Sequence, residues 1–232
     1  MSTSTRRPGR VRLPRSIRPG TRRSQEPGQR LRCLVLADVP DEWIGVDLAS
    51  GAFVRGLPGL ASEGSVRRTV VELEITHDTE PVDPVRPELV VAASPPARVG
   101  VARRRPARRL LHRLAAPSRP GATVLGTWGP SIAYVDLSGS DPSVVLLGVP
   151  YRSLELSRLD GGGTELAFFY GGVTLHLGVL DVALRRLADS ARAGPMKVPV
   201  IAAALGFRPE FVLVGLGPVA EGHVRKVVFG LL

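Results

Sequence analysis

The sequence predicts a β-rich α+β protein: two internally related halves of antiparallel strands with one or two short helices, behind a disordered basic N-terminal tail. Three observations lead there. Short apolar runs with period-two alternation recur along the chain, most cleanly at Thr69 to Thr76, where Val71, Leu73 and Ile75 face one way and Val70, Glu72 and Glu74 the other. The chain has 26 glycines and 21 prolines but no asparagine, so glycine and aspartate must make the many turns that short strands need. The third observation is an internal echo.

Phe207 to Leu232 reads as a strand, a tight turn and a returning strand. Laying Val85 to Arg104 over Phe207 to Lys226 without a gap pairs Arg86 with Arg208, Pro87 with Pro209, Glu88 with Glu210 and Val90 with Val212. Further on, Pro96 meets Pro218, Gly100 meets Gly222 and Arg103 meets Arg225. Proline disfavours the helical region for the residue before it, so Arg86 and Arg208 each start extended. Arg and Glu two apart then share one face of a strand. The expectation is one hairpin used twice, with Arg86 set against Glu210 and Arg208 against Glu88. A collinear echo links Ile44, Val46, Asp47, Leu48 and Gly51 with Ile132, Val135, Asp136, Leu137 and Gly139. Asp47 and Asp136 precede small-residue turns and read as turn caps rather than as a catalytic carboxylate pair.

In chain order, residues 1–30 hold nine arginines against Glu26 alone, with prolines at 8, 14, 19 and 27. Such a segment buries too little apolar surface to offset ordering, so a disordered tail is expected. A tail of this charge can hold nucleic acid or another polyanion by counterion release. The first β-rich half, 31–117, opens with strands at Leu31 to Leu36 and Trp43 to Leu48. It closes on a basic helix near 106–116, with Pro106 in the first turn and Leu110, Leu111 and Leu114 as a narrow apolar stripe. Residues 98–119 contain eight arginines and no acid. Arg103, Arg104, Arg105, Arg108, Arg109 and Arg113 are therefore the candidate nucleic-acid-binding residues.

The second half, 118–232, reads as strands at 123–126, 132–137, 144–149, 153–158, 165–170 and 173–177. Gly161, Gly162 and Gly163 make a hairpin loop and, with no following lysine, not a phosphate loop. The strand at 165–170 carries apolar residues on both faces and is expected to be covered on both. His176 reads as a packed or edge side chain. A helix near 181–193 follows, with Asp181 as N-cap and Gly194–Pro195 as stop, then a short helical segment from Val200 to Leu205 and the C-terminal hairpin.

Composition narrows the function classes. The single Cys33 excludes an intramolecular disulfide and a cysteine-based zinc site, and points to a reducing, cytoplasmic setting. No apolar run approaches the length of a membrane span, so no integral membrane association is expected. Arginine outnumbers lysine 29 to 2, as in a GC-rich bacterial genome. The four histidines have no metal-binding spacing, and no nucleophile, phosphate-loop or dinucleotide motif occurs. No catalytic residue, metal ligand or cofactor is assigned. The reading is a non-catalytic binding or assembly module with a protein partner or a second copy of itself. The alternatives are a nucleic-acid-binding protein using the Arg-rich tail and helix, and a small-molecule enzyme with a cleft between the halves, using His77 or His223.

Overall fold

The computed structural model describes residues 10–14, 27–60, 68–76, 83–190 and 194–232. The chain divides into two compact units, Met1–Thr79 with Val90–Arg113, and Glu80–Leu89 with Leu114–Leu232. The divide thus falls at the end of the basic helix and not at 117. Val85 is buried in a cluster with Ile132, Leu216 and Val224, which is why the segment around it belongs to the second unit.

The first unit is a seven-stranded sheet. Its strands are β1 (Arg10–Val11), β2 (Arg30–Val39), β3 (Glu42–Asp47), β4 (Phe53–Leu57), β5 (Thr69–Glu74), β6 (Leu89–Val91) and β7 (Ala97–Ala102), in spatial order β1-β7-β5-β2-β3-β4-β6. Strands β5, β2, β3 and β4 form an antiparallel run with β7 antiparallel to β5, and β1 joins β7 in parallel. Alternation decides the faces: Leu31, Cys33 and Val35 of β2 and Val71 and Leu73 of β5 meet Trp43, Val54, Ile75 and Val90 in one cluster. Trp43 lies flat over Gly56, where a Cβ would run into the indole, so this position requires glycine. Helix α1 (Arg104–Leu114) follows β7 and buries Ala107, Leu110 and Leu114.

The second unit is an eight-stranded sheet with two helices. Its strands are β8 (Ser131–Ala133), β9 (Val144–Gly148), β10 (Glu155–Arg158), β11 (Thr164–Tyr170), β12 (Val173–Val179), β13 (Met196–Lys197), β14 (Phe211–Ala220) and β15 (His223–Leu231). They run β13-β10-β11-β12-β15-β14-β9, with β8 also on β15. The β12–β15 pair is parallel and so needs a long crossover, which helices α2 (Val182–Asp189) and α3 (Val198–Leu205) supply. Asp181 caps α2 as expected, its Oδ1 accepting from Leu184 N at 3.0 Å, and Gly206 ends α3 in the left-handed region at φ 69°. Leu184, Ala188 and Ile201 join Leu156, Leu166, Phe168, Leu177, Val212 and Val228 in the core.

The β-rich α+β class and the two halves stand, but four expectations need correction. The hairpin forms once. β14 and β15 meet at Glu221 and Gly222, both at positive φ (53° and 75°), as a two-residue hairpin turn demands. Upstream, β6 and β7 do not pair with each other: β6 lies on β4, while its end at Val91 and Ala92 meets Thr76 and Ile75 beyond β5, the strand that β7 pairs with. Gly100, which aligns with the turn residue Gly222, sits inside β7 opposite Val70.

The tail is not wholly without structure either, since Arg10–Val11 pairs with Val101–Ala102 and Leu13 is 8% exposed. Residues 123–126 form no strand, only a bridge from Val124 to Thr127, and 132–137 gives a three-residue strand and then a 3-10 turn at Tyr134–Asp136. β11 is open on one face, where Phe169 is 41% exposed.

Candidate functional site

The sequence of α1, Arg-Arg-Pro-Ala-Arg-Arg-Leu-Leu-His-Arg-Leu, can bury only a narrow stripe, and the structure buries Ala107, Leu110 and Leu114 with Leu111 half-covered. The rest of its surface is arginine apart from Pro106 and His112. Arg103, Arg104, Arg105, Arg108, Arg109 and Arg113 are all exposed. Residues four apart lie on one side of a helix, so Arg105, Arg109 and Arg113 form a row with steps of about 6 Å, and the 11-residue helix is about 16 Å long. Arg108 and Arg113 are each engaged in an interaction within the protein. The structure therefore brings together all six arginines that the sequence singles out.

It also adds three. Arg10 stands opposite Val101 in β1, Arg12 follows it, and the carbonyl of Arg68 accepts the Ala102 N–H at 2.8 Å, one residue before Arg103. All three side chains are exposed. Sequence reasoning counted Arg10 and Arg12 only as part of a tail, and nothing local marks Arg68; its place depends on the pairing of β5 with β7.

The other four singled-out residues do not form the expected pairs. Arg86 Nε donates to Asp83 Oδ2 at 2.8 Å, closing a local turn in which Asp83 Oδ1 also accepts from Val85 N at 2.9 Å. Glu88 is buried and accepts from Ser143 N at 2.6 Å and Ser143 Oγ at 2.5 Å. Arg208 lies over the Tyr151 ring, 4.0 Å from its centroid, and the Glu210 backbone bonds Leu232 and Val149. Nearer partners satisfy Arg86, Glu88 and Arg208, so no cross-pairing is needed. The two echoed aspartates differ as well. Asp47 caps its turn, accepting from Ala49 N (3.1 Å), Ser50 N (2.9 Å) and Ser50 Oγ (2.5 Å). Asp136 lies exposed in a 3-10 turn, and the serines beyond it are tied instead by Asp141, which accepts from Ser138 Oγ at 2.9 Å.

Two buried charges were not anticipated. Arg55 makes a two-point ion pair with Glu42, Nη2 to Oε1 at 2.6 Å and Nε to Oε2 at 3.1 Å, and both residues are buried. Lys226 points into the second unit and donates to the carbonyls of Thr127 (2.7 Å) and Gly129 (2.9 Å), while its own N–H donates to Pro130 O at 2.7 Å. Burial pulls its pKa down from 10.5 to about 8. Position was the available signal: Val224, Lys226 and Val228 share one face of β15, and both valines are buried.

Groups with reactive chemistry are poorly set for it. The Cys33 thiol is fully buried and its pKa is raised, by burial first and by the nearby Asp47 charge second, which keeps it an unreactive thiol. His176 is an exposed side chain with Nδ1 2.8 Å from Glu165 Oε1, not a packed one. His223 is exposed at the β14–β15 turn, and His77 lies outside the described residues. Among the described residues no three His, Cys, Asp or Glu side chains stand together as a metal site, and no helix is long and apolar enough to cross a membrane. Comparison with protein-family models, curated proteins and solved structures gives no match.

Proposed function

We propose that this chain is a non-catalytic binding module whose arginine surface, made by α1 with β1 and the adjoining end of β7, takes up polyanions. One observation carries the reading: a helix that buries three residues and turns arginine outward, in a 22-residue stretch (98–119) free of acids. The surplus is regional. Described residues of the first unit include 13 arginines and 6 acids, those of the second 10 basic and 11 acidic residues. Guanidinium groups stay charged at any physiological pH, so the surface does not switch off by titration. Counterion release then gives affinity that falls steeply with salt. The cytoplasm of a bacterium is the setting we propose, on the unpaired Cys33 and the preference for arginine over lysine.

Binding of the full chain to inorganic polyphosphate, followed by fluorescence anisotropy from 50 to 300 mM salt, tests this. The expected result is tight binding at the lowest salt and loss across the series. Absence of binding at 50 mM, or binding indifferent to salt, contradicts it. A second reading, self-association, is supported by exposed apolar residues near the β14–β15 turn: Val135 at 88%, Val219 and Tyr134, whose N–H donates to Gly222 O. Light scattering that finds a monomer at 100 μM would remove it.

A further inference from the structure

We infer that the polyanion is a double-stranded nucleic acid, held along its phosphates without selection of sequence. This deepens the proposal above and rests on it. The first consideration is rigidity. Arg103, Arg104, Arg105 and Arg109 project from the start of a helix that is anchored by Ala107, Leu110 and Leu114. Arg10, Arg12 and Arg68 flank that start on paired strands or at their ends. Such a fixed array suits a ligand whose charges are equally fixed. A duplex carries one negative charge per about 1.7 Å of axis and stays straight over about 50 nm, so it docks without being ordered first. A flexible polyanion must lose chain entropy to match the same array.

The second consideration is stacking. Proteins that prefer single strands hold the bases on exposed aromatic rings beside a basic groove. The aromatic residues described in the first unit are Trp43, fully buried, and Phe53, half-buried in β4. Among the described residues of the first unit no Phe, Tyr or Trp ring is exposed, and the imidazole of His112 is the one aromatic ring on α1, so single-stranded bases find little to stack on there.

The third consideration is readout. α1 has no Asn, Gln, Ser, Thr, Asp or Glu with which to recognise adenine or cytosine edges. Arginine can pair with a guanine edge, but it also bonds the phosphate of every nucleotide, and phosphate contact fixes position without carrying sequence information.

The test uses the full chain and anisotropy at 100 mM salt with five probes: two 20-base-pair DNA duplexes of unrelated sequence, one RNA duplex, one of the DNA strands alone, and inorganic polyphosphate. The inference expects at least one kind of duplex to bind 5-fold or more tighter than the single strand at equal phosphate concentration. It also expects the two DNA duplexes to agree within 2-fold. If the single strand binds as well as the duplexes, or one DNA sequence is preferred 10-fold, the duplex inference is overturned while the polyanion reading survives. If polyphosphate and every nucleic acid fail to bind, both fall. The variant Arg103→Ala/Arg104→Ala/Arg105→Ala/Arg109→Ala is expected to lose at least 30-fold in duplex affinity. Its thermal melt checks that it folds, and a folded variant that binds like the parent overturns the assignment of the surface.

Discussion

The two units handle charge in opposite ways. In the second, three cations stand beside acids, Arg86 with Asp83, Arg158 with Asp189 and Lys197 with Glu155, and the His176 ring meets Glu165. The one buried cation among its described residues, Lys226, is held by backbone carbonyls. In the first unit Glu74 is matched by Arg30, Glu72 by Arg32 and Glu42 by Arg55, yet among the described residues arginines outnumber acids. The excess is densest on β1, β7 and α1, where Arg108 and Arg113 have interactions of their own. Exposed pairs of the first kind contribute little to stability, while an excess of one sign sets what the surface attracts. The contrast teaches that function in this molecule is to be sought where charge is left over.

Breaking a matched charge in the first unit gives the largest expected effect. Glu42→Ala removes the carboxylate that neutralises the buried Arg55 guanidinium and is expected to cost about 3–5 kcal/mol in urea unfolding. A cost under 1 kcal/mol would show that water reaches Arg55. Lys226 probes the second unit. Its folded pKa of about 8 lies below the ordinary 10.5, so the unfolded chain binds the proton more tightly. The cost of burying the charge is therefore full below pH 8 and is relieved as pH rises toward 10.5. Cys33 and Tyr170, both raised, act in the opposite sense at high pH, so the quantity to measure is the parent minus Lys226→Met. That difference is expected to shift in the parent's favour by on the order of 1–2 kcal/mol between pH 8 and pH 10. A flat difference contradicts the shifted lysine.

A smaller effect compares the echoed aspartates. Asp47→Ala loses three hydrogen bonds to its turn and is expected to cost about 1–2 kcal/mol, whereas Asp136→Ala should stay within about 0.5 kcal/mol. Equal costs would revive the equivalence of the two turns.

Much of the fold was legible where the physics is local. Alternation at Thr69–Glu74 gave β5, and Asp181 with the apolar stripe behind it gave α2. The basic helix was legible because a run of arginine interrupted by leucine at helical spacing has few other ways to bury anything. What stayed hidden depends on distant partners. β1 is two residues long and exists because β7 offers it an edge some 90 positions later (roughly) and Leu13 is buried, which no window of sequence reports. Arg86 and Arg208 look alike in sequence, but Asp83 sits three residues from one and Tyr151 lies over the other. Similar words were completed by different neighbours, and the shared hairpin vanished with them. Lys226 was hidden by expectation, since lysine is rarely buried; its carbonyl partners lie 97 and 99 residues away.

The most direct test of the central claim is the slope of log affinity against log salt for a DNA duplex. It is to be compared between the parent, Arg104→Ala/Arg105→Ala/Arg109→Ala in the first unit, and Arg158→Ala/Arg185→Ala/Arg186→Ala in the second. Both variants lose three exposed arginines, so net charge falls equally. The account predicts that the slope weakens by about 3 for the first variant and by less than about 0.5 for the second. Equal changes in the two would mean that total charge and not the α1 surface does the binding, and would contradict the account.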